Sequence, residues 1–295
     1  MKVGVSLPVF TEDPARPLEV ARRSADLGFD GVFSPDHFFP PIFYPPSGPQ
    51  RPALEAFTLL SAVAARHPQL HVGTLVARVT LRPTGLLAKE AAALDQMTGG
   101  RAILALGTGD RASRPEHEMY GFPFLSARER VAQLDETIQA LRALFRGDEW
   151  PGGEHVPTLA GPLLPPGSPE LWVGGRSDAV LNVAARRADA WNGWGDDVDG
   201  FAVKVSRLRE LAGGREVAPT WGGIALVGED GADLERLVLE RGSKGLSLDG
   251  VWTGTADELR TFVDELERVG ATWFIVLPAG QGDRLEVIAA ALGDR

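Results

Sequence analysis

The chain has 295 residues, 44% of them hydrophobic, which is enough apolar material for a large buried core in one or two domains. It contains no cysteine, which excludes disulfides, thiolate metal sites and thiol nucleophiles. The formal net charge of -10 argues against a nucleic-acid partner, and no apolar run is long enough to cross a membrane. The segment from Val3 to Leu7 has the pattern of a buried core strand and not that of a signal peptide. We therefore expect a cytoplasmic protein.

Short apolar segments that are typical of buried strands alternate with helical patterns along the chain. The strand candidates are Val3 to Leu7, Gly31 to Ser34, Leu70 to Val76, Ala102 to Leu106, Leu171 to Val173, Ala190 to Trp194, Trp221 to Val227 and Trp273 to Leu277. The helix candidates are Leu18 to Leu27, Leu54 to Ala65, Leu86 to Met97, Arg128 to Phe145, Ala179 to Arg187 and Glu258 to Val269. This alternation predicts an α/β fold, a (β/α)₈ TIM barrel with insertions at its C-terminal face, formed by residues 1–295 as a single domain. An open doubly wound sheet is the competing architecture.

Three local patterns refine this prediction. Gly28 follows the first helix as a C′ glycine, and Thr255 and Glu258 have the spacing of a capping box at a helix start. The proline- and glycine-rich segment from Gly147 to Ser168 is either a linker between two halves or, within a barrel, a long βα insertion over one end. We favour the insertion because the barrel leaves no place for a linker.

In a barrel of this kind the chemistry lies where the strands end. Asp36 and His37 follow the second strand and open an aromatic, proline-rich loop, 38–46, that begins with Phe38 and Phe39. Histidine suits proton transfer near neutral pH, the aspartate is placed to orient it, and the aromatic loop would exclude water from a bound ring. The alternative is a polar strand end beside a loop that packs on the barrel rim.

Two further strand ends carry candidate binding residues. Gly107, Thr108, Gly109 and Asp110 follow the fourth strand, where the glycines permit close approach to a ligand and Asp110 offers an acceptor; a turn with a capping aspartate is the alternative. The charged run 114–118 is expected to be solvated, and its adjacent acidic and histidine side chains would not converge on a metal.

The fifth strand runs through Gly174, Gly175, Arg176 and Ser177 into a helix start. Free backbone N–H groups at such a point, with an arginine beside them, favour a phosphate site, although a tight strand-to-helix turn explains the glycines equally well. After the sixth strand, Trp191 is expected in the core and Trp194 in the wall of a pocket for a planar ligand.

In this order the segments resemble the bacterial luciferase-like monooxygenase superfamily over nearly the whole chain. The segments that carry the resemblance are 28–37, 72–76, 88–89, 94–101, 106–110, 172–177 and 188–193. The run from Gly107 to Asp110 is more similar to the branch that uses the deazaflavin coenzyme F-420 (8-hydroxy-5-deazaflavin) than to the FMN monooxygenases. Asp110 stands where deazaflavin enzymes carry a glutamate, and phenylalanines replace the tryptophan that usually follows the Asp-His pair. The shorter side chain of Asp110 argues against direct proton donation but not against hydrogen bonding, and the missing tryptophan argues against a sugar-phosphate substrate.

The resemblance implies a role for each matching residue. His37 would exchange a proton, with Asp36 and Asp110 as the other catalytic residues, and the Leu75–Val76 bond would be a non-prolyl cis peptide under the cofactor ring. The implied cofactor-binding residues are Asp36, Thr74, Leu75, Val76, Gly107, Thr108, Gly109, Gly174, Gly175, Arg176 and Ser177. The expected substrate-binding residues are Phe10, Phe38, Phe39 and Trp194. No metal is expected.

The function implied is hydride transfer between C5 of coenzyme F-420 and a small, fairly apolar organic substrate. The main alternative is an FMN-dependent monooxygenase that uses a flavin peroxide and requires a flavin reductase as a partner. A non-catalytic flavin-binding barrel and a metal-free hydrolase that uses Asp36, His37 and Asp110 are further alternatives. A homodimer is expected because members of the superfamily often form one.

Overall fold

The computed structural model describes residues 1–40, 51–280 and 284–293, which form nine strands and ten α-helices. The strands are β1 (Lys2–Ser6), β2 (Gly31–Ser34), β3 (His71–Arg78), β4 (Ala102–Gly107), β5 (Glu170–Gly174), β6 (Ala190–Trp194), β7 (Ala218–Gly228), β8 (Val251–Thr255) and β9 (Trp273–Pro278). The helices are α1 (Ala15–Asp26), α2 (Ala56–Arg66), α3 (Thr84–Thr98), α4 (Arg114–Met119), α5 (Ala127–Arg146), α6 (Asp178–Arg187), α7 (Val198–Ala212), α8 (Gly231–Ser243), α9 (Ala256–Val269) and α10 (Leu285–Leu292). A short 3₁₀ turn, Arg111–Ser113, precedes α4.

Eight of the described strands close into a parallel barrel. Strands β1 to β7 pair in chain order, and β9 pairs with both β7 and β1, which closes the ring. Strand β8 lies outside the ring and pairs in parallel with the last part of β7, where Ile224 faces Val251. The closed ring confirms the predicted (β/α)₈ barrel and rules out the open doubly wound sheet.

Aromatic rings fill the barrel interior. Phe33, Trp172 and Trp273 contact one another with ring centroids 5.5 to 5.8 Å apart. Glycines on the neighbouring strands make room for them: a Cβ at Gly4 would lie 2.6 Å from the Phe33 ring, and one at Gly73 would lie 2.9 Å from it. The interior is therefore a packed core, and a ligand has access only at an end of the barrel.

A second apolar layer lies between the strands and the surrounding helices. Helix α9 buries Leu259, Phe262, Val263 and Leu266 on one side and begins with the predicted capping box of Thr255 and Glu258. Trp191 has no exposed surface and stacks on Phe201 of α7, as expected for a core residue. Gly28 lies just beyond α1 with a φ of 81°, which confirms the predicted C′ glycine.

The sequence patterns miss five elements and misplace one segment. Helices α4, α7, α8 and α10 and strand β8 were not predicted. Residues 147–169 follow the end of α5 and precede β5, so they form an αβ connection at the end of the barrel where the strands begin, and the βα insertion was wrong. Polar groups of α3 hold this connection: Gln96 donates to the carbonyl of Pro166 (2.7 Å), and Asp95 accepts from the N–H of Ser168 (3.0 Å).

No described helix combines the length and the apolar character that a bilayer-spanning segment needs. The described residues likewise contain no group of three histidine, aspartate or glutamate side chains arranged to hold a metal ion.

Candidate active site at the barrel mouth

The predicted site residues lie at the end of the barrel where the strands terminate, here called the mouth. Asp36 and His37 follow β2, and Val76 lies near the end of β3. The segments 107–110 and 174–177 follow β4 and β5. Since parallel strands end on the same side of a barrel, segments far apart in the chain meet at this mouth.

Val76 lies at the centre of this arrangement. The Leu75–Val76 peptide is cis, as the resemblance implied, and the pairing of β3 with β4 shifts register between Thr74 and Ala77. A Cβ at Gly107 would lie 2.4 Å from one Val76 methyl group, and a Cβ at Gly174 would lie 2.5 Å from the other. These two glycines therefore make room for Val76, and this packing is the local reason for glycine at both strand ends.

The structure corrects the expected role of Thr74. This residue has no exposed surface, and its hydroxyl donates to the carbonyl oxygen of Ala105 on β4 (2.8 Å). Its side chain is thus used to join two strands and offers no surface to a cofactor.

His37 forms a short contact with a residue that the sequence gave no reason to choose. Its Nδ1 lies 2.6 Å from Oε1 of Glu116 on α4, and Oε2 of Glu116 accepts from the N–H of Phe38 (2.6 Å) and from Nη2 of Arg78 (2.8 Å). Glu116 has no exposed surface. Burial alone raises the pKa of this carboxyl, but the contacts with His37, Arg78 and Phe38 outweigh burial and hold the pKa below its ordinary value.

An ionised Glu116 accepts a hydrogen bond from Nδ1–H of His37 and so favours one tautomer of the ring. The other ring nitrogen, Nε2, has no partner in residues 1–40, 51–280 and 284–293, and the side chain keeps 24% of its surface exposed. His37 thus retains one nitrogen for proton exchange while the other is fixed by a buried anion.

The expectation that residues 114–118 are solvated is wrong at three positions, because Pro115, Glu116 and His117 are buried. Glu116 and His117 are both completely buried, because α4 folds back over the ends of β2 and β3. Nδ1 of His117 donates to the carbonyl of Pro123 (3.0 Å), and burial holds the pKa of His117 below its ordinary value. No spacing in the sequence connects Glu116 to His37, since 79 positions separate them.

Asp36 belongs to a separate ion-pair network. It is 2% exposed and accepts from both terminal nitrogens of Arg82, at 2.7 and 3.1 Å, and from the backbone N–H of Arg78 at 3.1 Å. Arg82 also contacts Glu55 (2.5 Å) and Glu90 (3.2 Å). Asp36 is therefore held in place by two arginines, and the contact that orients His37 comes from Glu116 and not from its chain neighbour.

The predicted aromatic side chains differ in how much surface they offer. Phe10 lies 6.0 Å from the His37 ring, and Phe38 contacts Tyr120 at 4.6 Å between ring centroids, with both phenylalanines half-buried. Trp194 is half-buried over Gly222, where a Cβ would lie 2.8 Å from the indole. Phe39 is only 4% exposed, so its predicted contact with substrate is corrected to a packing role. Positions 41–46 of the predicted loop lie outside the described residues.

Asp110 has the capping geometry that was the alternative at its position. Its carboxylate accepts from the N–H of Ser113 (3.1 Å) and from the Ser113 hydroxyl (3.2 Å), which closes the 3₁₀ turn. Gly109 precedes it with a φ of 65°, a conformation that favours glycine. Asp110 is exposed, and its contact with a cofactor ring remains a prediction, as do those of Thr108 and Gly109.

The segment from Gly174 to Ser177 leads from β5 into the ten-residue helix α6. The Ser177 hydroxyl accepts from the N–H of Val180 (3.4 Å), which leaves the N–H groups of Asp178 and Ala179 in the first turn without acceptors among the described residues. Arg176 is exposed beside them. These donors and this cation suit an anion, although the Asp178 carboxylate in the same turn opposes one.

A parallel barrel that holds a histidine on a buried carboxylate and an exposed helix start, both at its mouth, has the organisation of a (β/α)₈-barrel enzyme. Residues 1–275 match the family described as luciferase-like monooxygenase, and the chain belongs to this family.

Two relatives illustrate the range of similarity in sequence. An uncharacterised protein of Mycobacterium tuberculosis is 32% identical over 213 residues, which cover 66% of this chain and 72% of the relative. An F-420-dependent glucose-6-phosphate dehydrogenase of Nakamurella multipartita is 29% identical over 182 residues, which cover 60% of this chain and 51% of that enzyme.

Two solved structures share the fold at lower identity. An F-420-dependent secondary alcohol dehydrogenase in complex with an F-420-acetone adduct superposes with a TM-score of 0.82 and 18% identity, covering 99% of both chains. An EDTA monooxygenase from Chelativorans superposes with a TM-score of 0.79 and 16% identity, covering 99% of this chain and 92% of the other.

Proposed function

We propose that this protein is an F-420-dependent oxidoreductase that transfers a hydride to or from a small, fairly apolar substrate. The observation that carries the proposal is the pairing of His37 with the buried Glu116 at the barrel mouth, because it leaves one imidazole nitrogen for proton exchange. The F-420-dependent enzymes among the relative and the neighbouring structures support the choice of cofactor.

The side chains and backbone groups at the mouth have the charge and polarity that the parts of such a cofactor require. The free N–H groups at the start of α6 and the exposed Arg176 suit its phosphate. Val76 offers a partly exposed apolar side chain against which a flat ring would lie. Arg78 is buried behind the mouth, where its Nη2 binds Glu116, so it acts on the site through this carboxylate.

When bound, the deazaflavin supplies a carbon that accepts or donates a hydride. His37 takes up or releases the accompanying proton at Nε2, while Glu116 keeps Nδ1 protonated and balances the charge that the imidazole gains. Phe10, Phe38 and Trp194 provide half-buried aromatic surface, which favours an apolar substrate and excludes water.

FMN is the second candidate for the same site. A phosphate and a flat ring with carbonyl oxygens describe FMN as well, and an EDTA monooxygenase is among the proteins that share this fold. With FMN the protein would act as a monooxygenase, supplied with reduced flavin by a separate reductase. A homodimer and a cytoplasmic location are part of both proposals.

A side-by-side titration decides between the two cofactors. Purified protein is titrated with oxidised coenzyme F-420 and with FMN, followed by fluorescence, and the Arg22→Gln variant serves as a control, because Arg22 pairs with Glu19 and Asp26 of its own helix α1. We expect F-420 to bind at least tenfold more tightly than FMN, a difference of about 1.4 kcal/mol. Tighter binding of FMN than of F-420 would favour the monooxygenase function. Failure of both cofactors to bind would refute a cofactor site at this mouth.

His37 is tested in the same system. The F-420-loaded protein is screened with small secondary alcohols and with alkenes or imines, and the cofactor absorbance reports turnover. For the best substrate, His37→Ala should abolish turnover while cofactor affinity stays within about tenfold. Full turnover in the His37→Ala variant would show that His37 is not the acid–base residue.

A further inference from the structure

A basic groove lies at the other end of the barrel, where the strands begin. It has a volume of about 530 Å³ and is lined by the last turns of α5 and α6, by residues 148–151 and by Arg215. Its arginines are Arg142, Arg146, Arg186, Arg187 and Arg215. Five guanidinium groups around one groove stand out in a chain whose formal net charge is -10.

Two carboxylates, Asp148 and Glu149, line the groove, and Asp148 contacts Arg146 at 3.0 Å. Two further carboxylates beside the groove are each shared between two of its arginines. Asp189 contacts Arg142 at 2.7 Å and Arg215 at 3.9 Å, and Asp135 contacts Arg187 at 3.0 Å and Arg186 at 3.3 Å. Because one carboxylate serves two guanidinium groups in each case, positive charge exceeds negative charge within each of these trios.

Some of the guanidinium N–H groups have structural roles. Arg142 donates to the carbonyl of Arg187 (2.9 Å), and Arg215 donates to that of Ala185 (3.4 Å), so both satisfy carbonyl groups at the end of α6. A guanidinium has five N–H donors, however, and Nη1 of Arg142 has no acceptor among the described residues. Burial, and after it the nearby Arg142 cation, hold the pKa of Arg215 below its ordinary value despite the opposing effect of Asp189.

Trp150 and Pro151 also line the groove. Trp150 is half-buried, and its indole N–H is bonded to the carbonyl of Val156 (3.2 Å), so the ring is fixed in place. A groove lined by an aromatic ring and by several guanidinium groups offers apolar contact and charge to the same ligand.

We propose that this groove is a second binding site, which takes a phosphorylated small molecule through its arginines. The site is independent of the cofactor proposed for the mouth, since none of its lining residues belongs to the strand ends described above. The phosphate oxygens would bind the N–H groups that lack acceptors and would relieve the repulsion between Arg142 and Arg215.

Calorimetric titration of the protein without cofactor tests this site, with inorganic pyrophosphate and ADP as probes at constant ionic strength. The Arg146→Gln/Arg186→Gln double variant changes two exposed arginines of the groove, so folding should be kept. The Arg22→Gln/Arg207→Gln double variant makes the same change in net charge on α1 and α7, outside the groove. Arg176→Gln reports any binding at the mouth.

We expect pyrophosphate to bind the wild type and the α1/α7 control alike, and the groove variant at least tenfold more weakly. Tighter binding of ADP than of pyrophosphate would identify a nucleotide as the ligand class, and the reverse would identify a simple phosphate. The proposal is overturned if no probe binds, if the groove variant binds as the wild type does, or if only Arg176→Gln weakens binding. None of these outcomes depends on F-420 binding at the mouth.

Discussion

The Glu116 carboxylate lies 2.6 Å from Nδ1 of His37 and binds Arg78 and the N–H of Phe38 through its other oxygen. Two donors fix one side of the carboxylate, so its remaining oxygen is left to accept from the imidazole. In this way a buried anion sets which nitrogen of His37 carries the fixed proton. Glu116 is thus a positioning residue for the proposed proton exchange.

Replacing Glu116 with glutamine should reverse the His37 tautomer. The amide oxygen will face the two donors, Arg78 and Phe38, so the amide NH₂ will face Nδ1 and donate to it. We expect turnover to fall by about 10²- to 10⁴-fold, as when the orienting acid of a triad is amidated, while cofactor affinity changes less than about threefold. Nitrogen NMR of the imidazole reports the tautomer. An unchanged tautomer with wild-type turnover would contradict the assignment.

The same variant should change how stability depends on pH. The pKa of Glu116 in the folded protein lies below its ordinary value of 4.5, so its ionised form favours folding above about pH 4.5, and this contribution is lost as the pH falls through the lower, folded pKa. The difference in unfolding free energy between wild type and Glu116→Gln should therefore be largest at neutral pH and shrink on acidification. Denaturant titrations at neutral and acid pH measure it; a constant difference would refute the linkage.

Much of the fold could be predicted from the sequence because apolar runs and capping patterns each depend on residues that are close together in the chain. The eight barrel strands were predicted from apolar runs, and the Thr255–Glu258 capping box from local spacing. Helix α8 was missed: it buries only Leu237 fully, so its apolar pattern is weak.

The site was predictable only where strand ends mark it. Asp36, His37 and Val76 could be assigned to the barrel mouth because they follow or end apolar strands. Glu116 and the packing of Val76 between Gly107 and Gly174 were missed, because they depend on segments brought together by barrel closure. Two glycines at strand ends suggested a nearby ligand, whereas the structure shows a valine side chain beside both of them.

Alanine at Gly107 or at Gly174 should destabilise the protein through Val76. The added methyl group would lie 2.4 or 2.5 Å from a Val76 methyl, and overpacking of this kind typically costs about 1–3 kcal/mol. Combining either change with Val76→Ala should recover part of the loss. Gly242→Ala is the matched control, because open space surrounds that position on α8 and alanine favours a helix. Equal effects at Gly107 and Gly242 would contradict the packing argument.

Arg176 and Asp178 should have opposite effects on cofactor affinity. Both are exposed at the start of α6, one as a cation and the other as an anion in the first turn. Arg176→Gln should weaken binding of F-420 by about twofold to fivefold, and Asp178→Asn should leave it unchanged or strengthen it, because exposed charges contribute roughly 0.3–1 kcal/mol at a helix end. Fluorescence titration at low and high salt measures both. Equal affinities of the two variants for F-420 would contradict a phosphate site at the start of α6.

Glu55 and Glu90 contact the same Arg82 but should differ in their effect on stability. The pKa of Glu55 is lowered, since its bonds from Thr58, Phe57 and Arg82 outweigh the effect of burial, whereas burial raises the pKa of Glu90 despite Arg82. Glu55→Gln should cost about 0.5–2 kcal/mol at neutral pH, mainly through a weakened N-cap of α2, with the exposed ion pair adding little.

Glu90→Gln should instead be neutral or stabilising at pH 7. A raised pKa means that folding disfavours the ionised carboxyl, so this residue favours folding most below about pH 4.5, and that advantage is lost as the pH rises through its folded pKa. Glutamine keeps the shape without the charge, next to an arginine that already holds Asp36 and Glu55. Denaturant titration of both variants checks the contrast, and a larger loss in Glu90→Gln than in Glu55→Gln would show that Arg82 depends chiefly on Glu90.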